Sequence, residues 1–443
     1  MTVKGQRSEG KGQRVLVLAA TTGYQTRAFG EAAERLGVEL VFATDRCHMI
    51  DDPWRDGAIA IRFYDEDAST HAIVEAAHQR PIDGLLVVGD RPTVIAARVA
   101  ETLGFPGHPP QAAAAARHKR LTRERLRAAG LPTPWFIATS VDPETSEISP
   151  LNSEISEVPF PCVIKPVALS GSRGVIRADD RVSLAHAFTR LRALLESPDV
   201  RAERNDAHRE MLIEGFIPGH EYAVEGVLDR GRLHVLAIFD KPDPLDGPFF
   251  EETIYVTPPS IGADEQVSIA RAVEDAAAAL GLHHGPIHAE CRVNPQGVFV
   301  LEVAARPIGG LCARAVRLES AIRNPQSAMT LEEALLRHAL GESPDEWVRE
   351  RSASGVMMIP IPKRGILRGV SGIDAARAAI GVEDVRITAK MEQLLVPLPE
   401  GASYLGFIFA RGATADEVVD ALRISHGALR FAIDAEFRVV RER

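Results

Sequence analysis

His288-Ala289-Glu290-Cys291-Arg292-Val293-Asn294-Pro295-Gln296-Gly297-Val298-Phe299-Val300-Leu301-Glu302-Val303-Ala304-Ala305-Arg306 reads as two strands joined by a turn. Apolar-rich runs, Ile287 to Val293 and Val298 to Val303, flank a Pro- and Gly-containing connection, Val293 to Gly297, which is a hairpin signal. Side chains alternate along a strand, so His288 and Glu290 share one face, and Glu302, Ala304 and Arg306 share one face of the partner. Two carboxylates then oppose each other with an arginine close by. Carboxylate oxygens, with the remaining positions left to water and phosphate, are what Mg²⁺ on a nucleotide requires. A surface acid pair is the bland alternative, and the neighbouring motifs decide against it.

Upstream, Lys165 in Val163-Ile164-Lys165-Pro166 is followed by Ser170-Gly171-Ser172-Arg173-Gly174-Val175. Small residues there let backbone N–H groups approach phosphate oxygens, and the lysine adds a point charge. The lysine precedes the glycines, which excludes the G-x-x-x-x-G-K-[ST] phosphate loop. The turn after the first strand, Thr21-Thr22-Gly23-Tyr24, has one glycine where a dinucleotide fingerprint needs three, so a nicotinamide cofactor is unsupported.

The remaining text alternates in type. Val15 to Ala20, Val38 to Ala43 and Ile82 to Val88 are apolar strands separated by helical patterns at Thr26 to Leu36 and Thr93 to Leu103, which predicts a parallel sheet covered on both faces. A helix is predicted from about Gln111 through Ala129, ended by Gly130-Leu131-Pro132. Polar text from Ser140 to Pro159 is a loop. Strands return at Cys162 to Lys165, Met211 to Glu214, Glu221 to Leu228 and Leu233 to Phe239, with a helix from Asp264 to Leu280 before the hairpin. After Pro344 come strands at Val356 to Ile361, Val385 to Ile387, Gly406 to Ala410 and Leu429 to Ile433, and a helix around Ala415 to Ile424. The expected division is a disordered leader (1–14), an N-terminal Rossmann-like domain (15–110), an α+β block (111–342) and a small C-terminal α/β domain (343–443).

Composition narrows the partners. A length of 443 residues allows about three domains, and 45% apolar with 25% charged residues is the balance of a folded globular chain. No stretch approaches the roughly 18–20 apolar residues of a membrane span, and the polar first fourteen residues lack the apolar centre of an export signal, so a soluble, cytoplasmic protein is expected. A net charge of -10 without a basic cluster disfavours nucleic acid and favours a small metabolite. Cys47, Cys162, Cys291 and Cys312 form no C-x-x-C pair and read as buried, inert thiols. His283, His284 and His288 carry no readable zinc pattern.

Taken together these residues resemble the ATP-grasp superfamily over roughly residues 15 to 340. The resemblance is carried, in order, by Arg117-His118-Lys119 before the helix ending Ala129-Gly130-Leu131-Pro132, Lys165 with its glycine loop, Glu214-Gly215-Phe216-Ile217-Pro218-Gly219-His220-Glu221, Glu290, and Glu302-Val303-Ala304-Ala305-Arg306. It implies an ATP-grasp fold behind a Rossmann-like domain, with ATP and one or two Mg²⁺ ions, Mn²⁺ being able to substitute. By resemblance, Lys119 and Lys165 hold the α- and β-phosphates, and Ser170, Gly171, Ser172 and Gly174 close over the triphosphate. Glu214 and the backbone of Phe216 and Ile217 read adenine, Glu221 the ribose, and Glu290 and Glu302 the metal. Ala304 stands where many relatives carry Asn, so a second ion would rest on Glu302, phosphate and water.

Within the superfamily, Glu302 to Gly310 looks most like the L-amino-acid ligases that make dipeptides and the carnosine-synthase-like group. That resemblance implies an ATP-dependent carboxylate–amine ligase that forms an amide or dipeptide bond through an acyl phosphate, releasing ADP and phosphate. Arg306 would hold the carboxylate, Gly309 and Gly310 would expose backbone N–H groups to it, and His288 would orient the amine or act as base. The segment from Asp240-Lys241-Pro242 to Glu251-Glu252 is similar to the group's substrate-side loop, with Glu251 as a substrate contact. Small-molecule carboxylates and amines, amino acids first, are the expected partners, and the resemblance allows a homodimer. The competing readings are a biotin-carboxylase-like or purine-pathway carboxylase or formyl-type ligase, and a non-catalytic nucleotide sensor.

Overall fold

The structure, a computed structural model, describes residues 12–20, 23–45, 57–141, 158–320 and 328–435. Most of the expected leader, Thr21, Thr22, Cys47 and positions 142–157 of the expected loop lie outside these. Arg14, assigned to the leader from sequence, is instead the first residue of a strand. The apolar N-terminal runs form a parallel sheet in the order Ile59–Ile61, Glu39–Asp45, Arg14–Ala19, Gly84–Val88. Leu16, Leu18, Ile73 and Ile95 fill one side of it, so that continuous apolar strands are buried on both faces as expected.

The predicted helix from Gln111 to Ala129 is in fact two, Pro110–Ala116 and Lys119–Ala128. His118 between them is extended (φ -119°, ψ 101°), and the Lys119 N–H donates to the Val167 carbonyl at 2.8 Å. The break places Lys119 at a helix start over the site instead of along a helix side.

A small antiparallel sheet follows, ordered Phe136–Ser140, Glu210–Gly215, Cys162–Pro166, Ile176–Ala178, and is backed by helix Arg181–Leu195. An eight-stranded sheet forms the body: Gly297–Ala304, Gly285–Asn294, His220–Asp229, Arg232–Asp240, Ile254–Thr257, Ala353–Ile359, Gly406–Gly412, Val382–Ile387. It runs through position 342 without interruption, because Ile254–Thr257 pairs with Ala353–Ile359. The C-terminal unit is thus joined to the block before it by backbone hydrogen bonds.

The hairpin obeys a two-residue period on its inner strand. Ile287, Ala289 and Cys291 are fully buried against helix Ala263–Leu280, while His288, Glu290 and Arg292 point the other way. Burial of Ile287 alone stabilises this face by about 1.5–3 kcal/mol. The outer strand does not keep a simple period. Counted from the pair Val293 with Val298, Leu301 would stand opposite Glu290, yet Glu290 pairs with Glu302, because a bulge lies between Glu290 and Cys291 on one side and Glu302 and Val300 on the other. One extra residue reverses the parity of the strand. Val300 can therefore be buried beside Cys291 while Glu302, two residues on, faces the same way as Glu290.

Candidate active site

A cavity of about 650 Å³ lies between the two sheets and is closed by both the N-terminal and C-terminal units. Its wall includes Lys119, Lys165, Ser170, Gly171, Ser172, Glu214, Phe216, Ile217, Glu221, His288, Glu290, Glu302, Arg306, Gly309 and Gly310. Two expected site residues are elsewhere. Gly174 (φ 77°) packs where a Cβ would meet Leu191, Leu194 and Pro166, and its N–H donates to the Pro399 carbonyl, so it anchors the loop instead of lining the cavity. Glu252, not Glu251, is on the wall, since neighbouring side chains of an extended chain point oppositely.

Glu290 and Glu302 face each other with side chains 23% and 29% exposed. Lys119 Nζ is 3.5 Å from Glu302 and donates to the Leu169 carbonyl at 2.5 Å. Two opposed carboxylates, open on the cavity side and flanked by lysines, are the hard oxygen set that Mg²⁺ with a polyphosphate calls for, so the residues fit the metal.

Glu214 is held by Arg123, whose Nε and Nη2 donate to its two oxygens at 2.8 and 3.2 Å, and by Lys165 at 2.5 Å. Burial would raise its carboxyl, but Arg123 and Lys165 outweigh that and hold it at about 2. Burial lowers Lys165 to about 8, only partly offset by Glu214. Arg123, 1% exposed, also donates from Nη1 to the carbonyls of Val300 and Leu301 at 3.2 and 3.0 Å. Those are the carbonyls at the bulge, so one guanidinium satisfies the interrupted ladder that aims Glu302 and fixes the acid that holds Lys165.

Lys241 is the centre of a second network that sequence reasoning did not single out. Its ammonium, 3% exposed, donates to Glu221 and Glu252 at 2.7 Å and to Glu290 at 3.0 Å. Burial and the Glu290 charge push the Glu252 carboxyl well above the ordinary range, against the opposing pull of Lys241. Glu290 goes the other way: burial is outweighed by Lys241 and His288, which hold it well below the ordinary carboxylate range. The other Glu221 oxygen accepts from Arg292 Nε at 2.9 Å.

Arg306 does not pair with Glu302. Its Nε and Nη2 fork onto Asp90 of the N-terminal unit at 2.9 and 3.1 Å. Burial would raise Asp90, but Arg306 more than offsets it and holds the carboxyl below its usual value. His288 Nδ1 is 3.2 Å from buried Glu225 and Nε2 is 3.9 Å from Glu290. Burial lowers its pKa, but the two acids overcome this and raise it to about 9, which makes His288 a proton donor and not a base in the free protein. The Phe216 N–H donates to the Pro161 carbonyl at 3.1 Å. Cys162, Cys291 and Cys312 are buried free thiols, as expected.

Three parts of the chain match known protein families. Residues 158–315 match the ATP-grasp domain family, 30–107 its N-terminal domain, and 357–434 the L-amino acid ligase C-terminal domain. A D-alanine–D-alanine ligase of Gloeobacter violaceus is 31% identical over 228 residues, 49% of this chain and 68% of that protein. The chain belongs to the ATP-grasp family. Among ATP-grasp proteins, carnosine synthase 1 of Gallus gallus is 29% identical over 69% of this chain, which spans 33% of that longer protein. The crystal structure of L-amino acid ligase from Bacillus licheniformis superposes with a TM-score of 0.77 at 26% identity, covering 96% of this chain and 99% of that one. The mixed α/β ATP-grasp fold, with its parallel N-terminal sheet and large antiparallel sheet, is therefore the fold of this chain. Among the described residues, no helix is long and apolar enough to cross a membrane.

Proposed function

We propose that the protein is an ATP-dependent carboxylate–amine ligase that joins two amino acids through an acyl phosphate, releasing ADP and phosphate. The observation that carries this reading is the opposition of Glu290 and Glu302 in one cavity with Lys119, Lys165 and Arg306. A carboxylate is a poor electrophile, and phosphorylation converts its oxygen into a leaving group. In-line phosphoryl transfer asks the protein for positioning and charge neutralisation more than for covalent chemistry.

In this reading Lys119 and Lys165 hold the phosphates, and Ser170 to Ser172 cover them. The Phe216 carbonyl and Ile217 N–H read the adenine edge, and Glu221 the ribose. Glu290 and Glu302 would hold Mg²⁺, or Mn²⁺ in its place, which supplies charge neutralisation at the terminal phosphates. Arg306 orients the acid substrate, the open backbone at Gly309 lies beside it, and protonated His288 donates toward the developing acyl phosphate. Tyr404 and Phe407 of the C-terminal unit, with Glu252, border the space for the amine.

ADP release assayed over all pairwise amino-acid combinations tests the proposal. Turnover with at least one pair, with a hydroxamate formed when hydroxylamine replaces the amine, supports it. Strict bicarbonate dependence would assign the fold to a carboxylase, and no ADP release with any pair would favour a nucleotide sensor.

Two further outcomes are expected. Arg306→Lys keeps the charge but loses the fork, and hydrogen bonds to charged groups contribute about 1.5–3 kcal/mol, so kcat should drop roughly 10- to 100-fold. Steady-state ADP release checks this. Lys165 is charged below about pH 8 and neutral above it. ATP affinity should therefore fall by up to about tenfold per pH unit above 8, measured by titration from pH 7 to 9.5. Lys165→Met should bind ATP more weakly and with a flatter profile.

A further inference from the structure

A second cavity, of about 550 Å³, shares no wall residue with the first. It opens between the N-terminal sheet and the far end of the eight-stranded sheet, and three potential metal ligands meet at its edge. Asp229 closes strand His220–Asp229 and His284 immediately precedes strand Gly285–Asn294. Those strands are neighbours, with Gly285 opposite Leu228, so the two side chains emerge together. His338, in helix Leu331–Ala339, packs its ring on that of His284 with centroids 4.4 Å apart and planes 25° apart.

The polar atoms of this cluster are poorly satisfied for buried groups. His338 is 4% exposed, and its Nε2 meets no hydrogen-bond partner. His284 Nδ1 is 3.2 Å from the Asp229 carboxylate, yet outside hydrogen-bond geometry, and is also unpartnered. Buried polar atoms left unmet are costly to the folded state. His338 Nδ1, in contrast, lies 3.3 Å from the Glu342 carbonyl. With the proton on Nδ1 for the Glu342 carbonyl, the Nε2 lone pair is left toward the cluster and the neighbouring Leu228 backbone, the arrangement that orients metal-binding histidines. One ligand atom from each of the three residues lies within 4.8 Å of the other two. Tetrahedral ligation at about 2.0–2.1 Å sets donors about 3.4 Å apart, so binding turns the stacked rings to aim their nitrogens at one point and draws the donors together by up to about 1.4 Å.

We infer that Asp229, His284 and His338 form a binding site for a borderline divalent cation, Zn²⁺ in the first instance, separate from the nucleotide cavity. Two imidazoles and one carboxylate suit Zn²⁺, Co²⁺ or Ni²⁺ and are poor ligands for Mg²⁺ or Ca²⁺, which take oxygen. Three protein ligands leave a fourth position for water on the cavity side. The ion would pin helix Leu331–Ala339 to the two strand ends, replacing unmet polar atoms with coordination bonds. The inference stands on geometry outside the ATP site and does not depend on the ligase reading.

The test is a zinc titration of the full, chelator-stripped chain against a chromophoric competitor, in wild type, His338→Gln and Asp229→Asn. Glu221, Glu252 and Glu290 could also collect a cation, so Glu290→Gln is titrated alongside. One Zn²⁺ per chain is expected in wild type and Glu290→Gln, weakened by about 10–100-fold or more in each ligand variant. Cobalt should give the visible absorption of a four-coordinate ion in the same two proteins alone. Far-ultraviolet circular dichroism of each variant verifies its fold; should His338→Gln misfold, the half-buried Asp229→Asn decides. Absence of stoichiometric binding by wild type, equal binding by the ligand variants, or loss confined to Glu290→Gln each overturns the inference.

Discussion

Glu302→Gln is expected to lower kcat for ADP release by about 10²–10³-fold, the usual loss when one preorganised charge-stabilising group is removed. Gln keeps the shape and removes the charge. Glu302 is part-exposed, and its described ionic partner is Lys119 at 3.5 Å. The folded state should therefore change little, within about 0.5 kcal/mol by urea unfolding. A kcat within twofold of wild type would remove Glu302 from the metal site. Because the bulge aims this side chain and Arg123 supports the bulge, Arg123→Met should reproduce part of the loss together with reduced stability.

Lys241→Met is expected to have the largest effect on folding. Breaking a buried ion network by removing one partner costs about 3–5 kcal/mol, because the partners remain as uncompensated charge. Here three carboxylates, Glu221, Glu252 and Glu290, share that one ammonium. Urea unfolding at pH 8 reads the loss. The sign of its pH dependence follows from the acids. Burial already raises the folded Glu252 carboxyl and Lys241 opposes that rise, so without Lys241 the folded state holds this proton more firmly than the unfolded chain and stability rises as pH falls. Part of the loss should return between pH 8 and 5. A variant as stable as wild type at pH 8 would show that the network carries little of the fold's stability.

Much of this site was legible in the text because its chemistry is local. The hairpin announced its turn, the two glutamates lay on apolar strands, and Lys165 preceded small residues that permit close backbone approach. Other parts depend on tertiary pairing. The bulge cannot be read from Val298 to Val303, since only the competing burial of Val300 and exposure of Glu302 on one strand demand it. Asp90, which grips Arg306, is 216 residues away in sequence. Arg123 looks like any polar helix residue until Glu214 and the bulge carbonyls surround it. Lys241 sat inside a segment matched only by resemblance, so its three acids were not foreseen.

Helix Arg181–Leu195 is not among the elements expected from sequence, although Leu184, Ala187, Leu191, Leu194 and Leu195 recur at helical spacing behind Asp180 and Ser183, which form a capping box. The break before Lys119 was hidden by strong helix formers on both sides. The sheet that crosses position 342 joins strands about a hundred residues apart, and no periodicity reports such a pairing.

The most direct test of the central claim follows the oxygen that leaves the acid. With an amino-acid pair that supports turnover, the acid substrate is labelled with ¹⁸O in its carboxylate, and the products are analysed by mass spectrometry. The account expects ADP and inorganic phosphate carrying one ¹⁸O per amide formed. Unlabelled phosphate, or AMP and pyrophosphate in place of ADP, would contradict it.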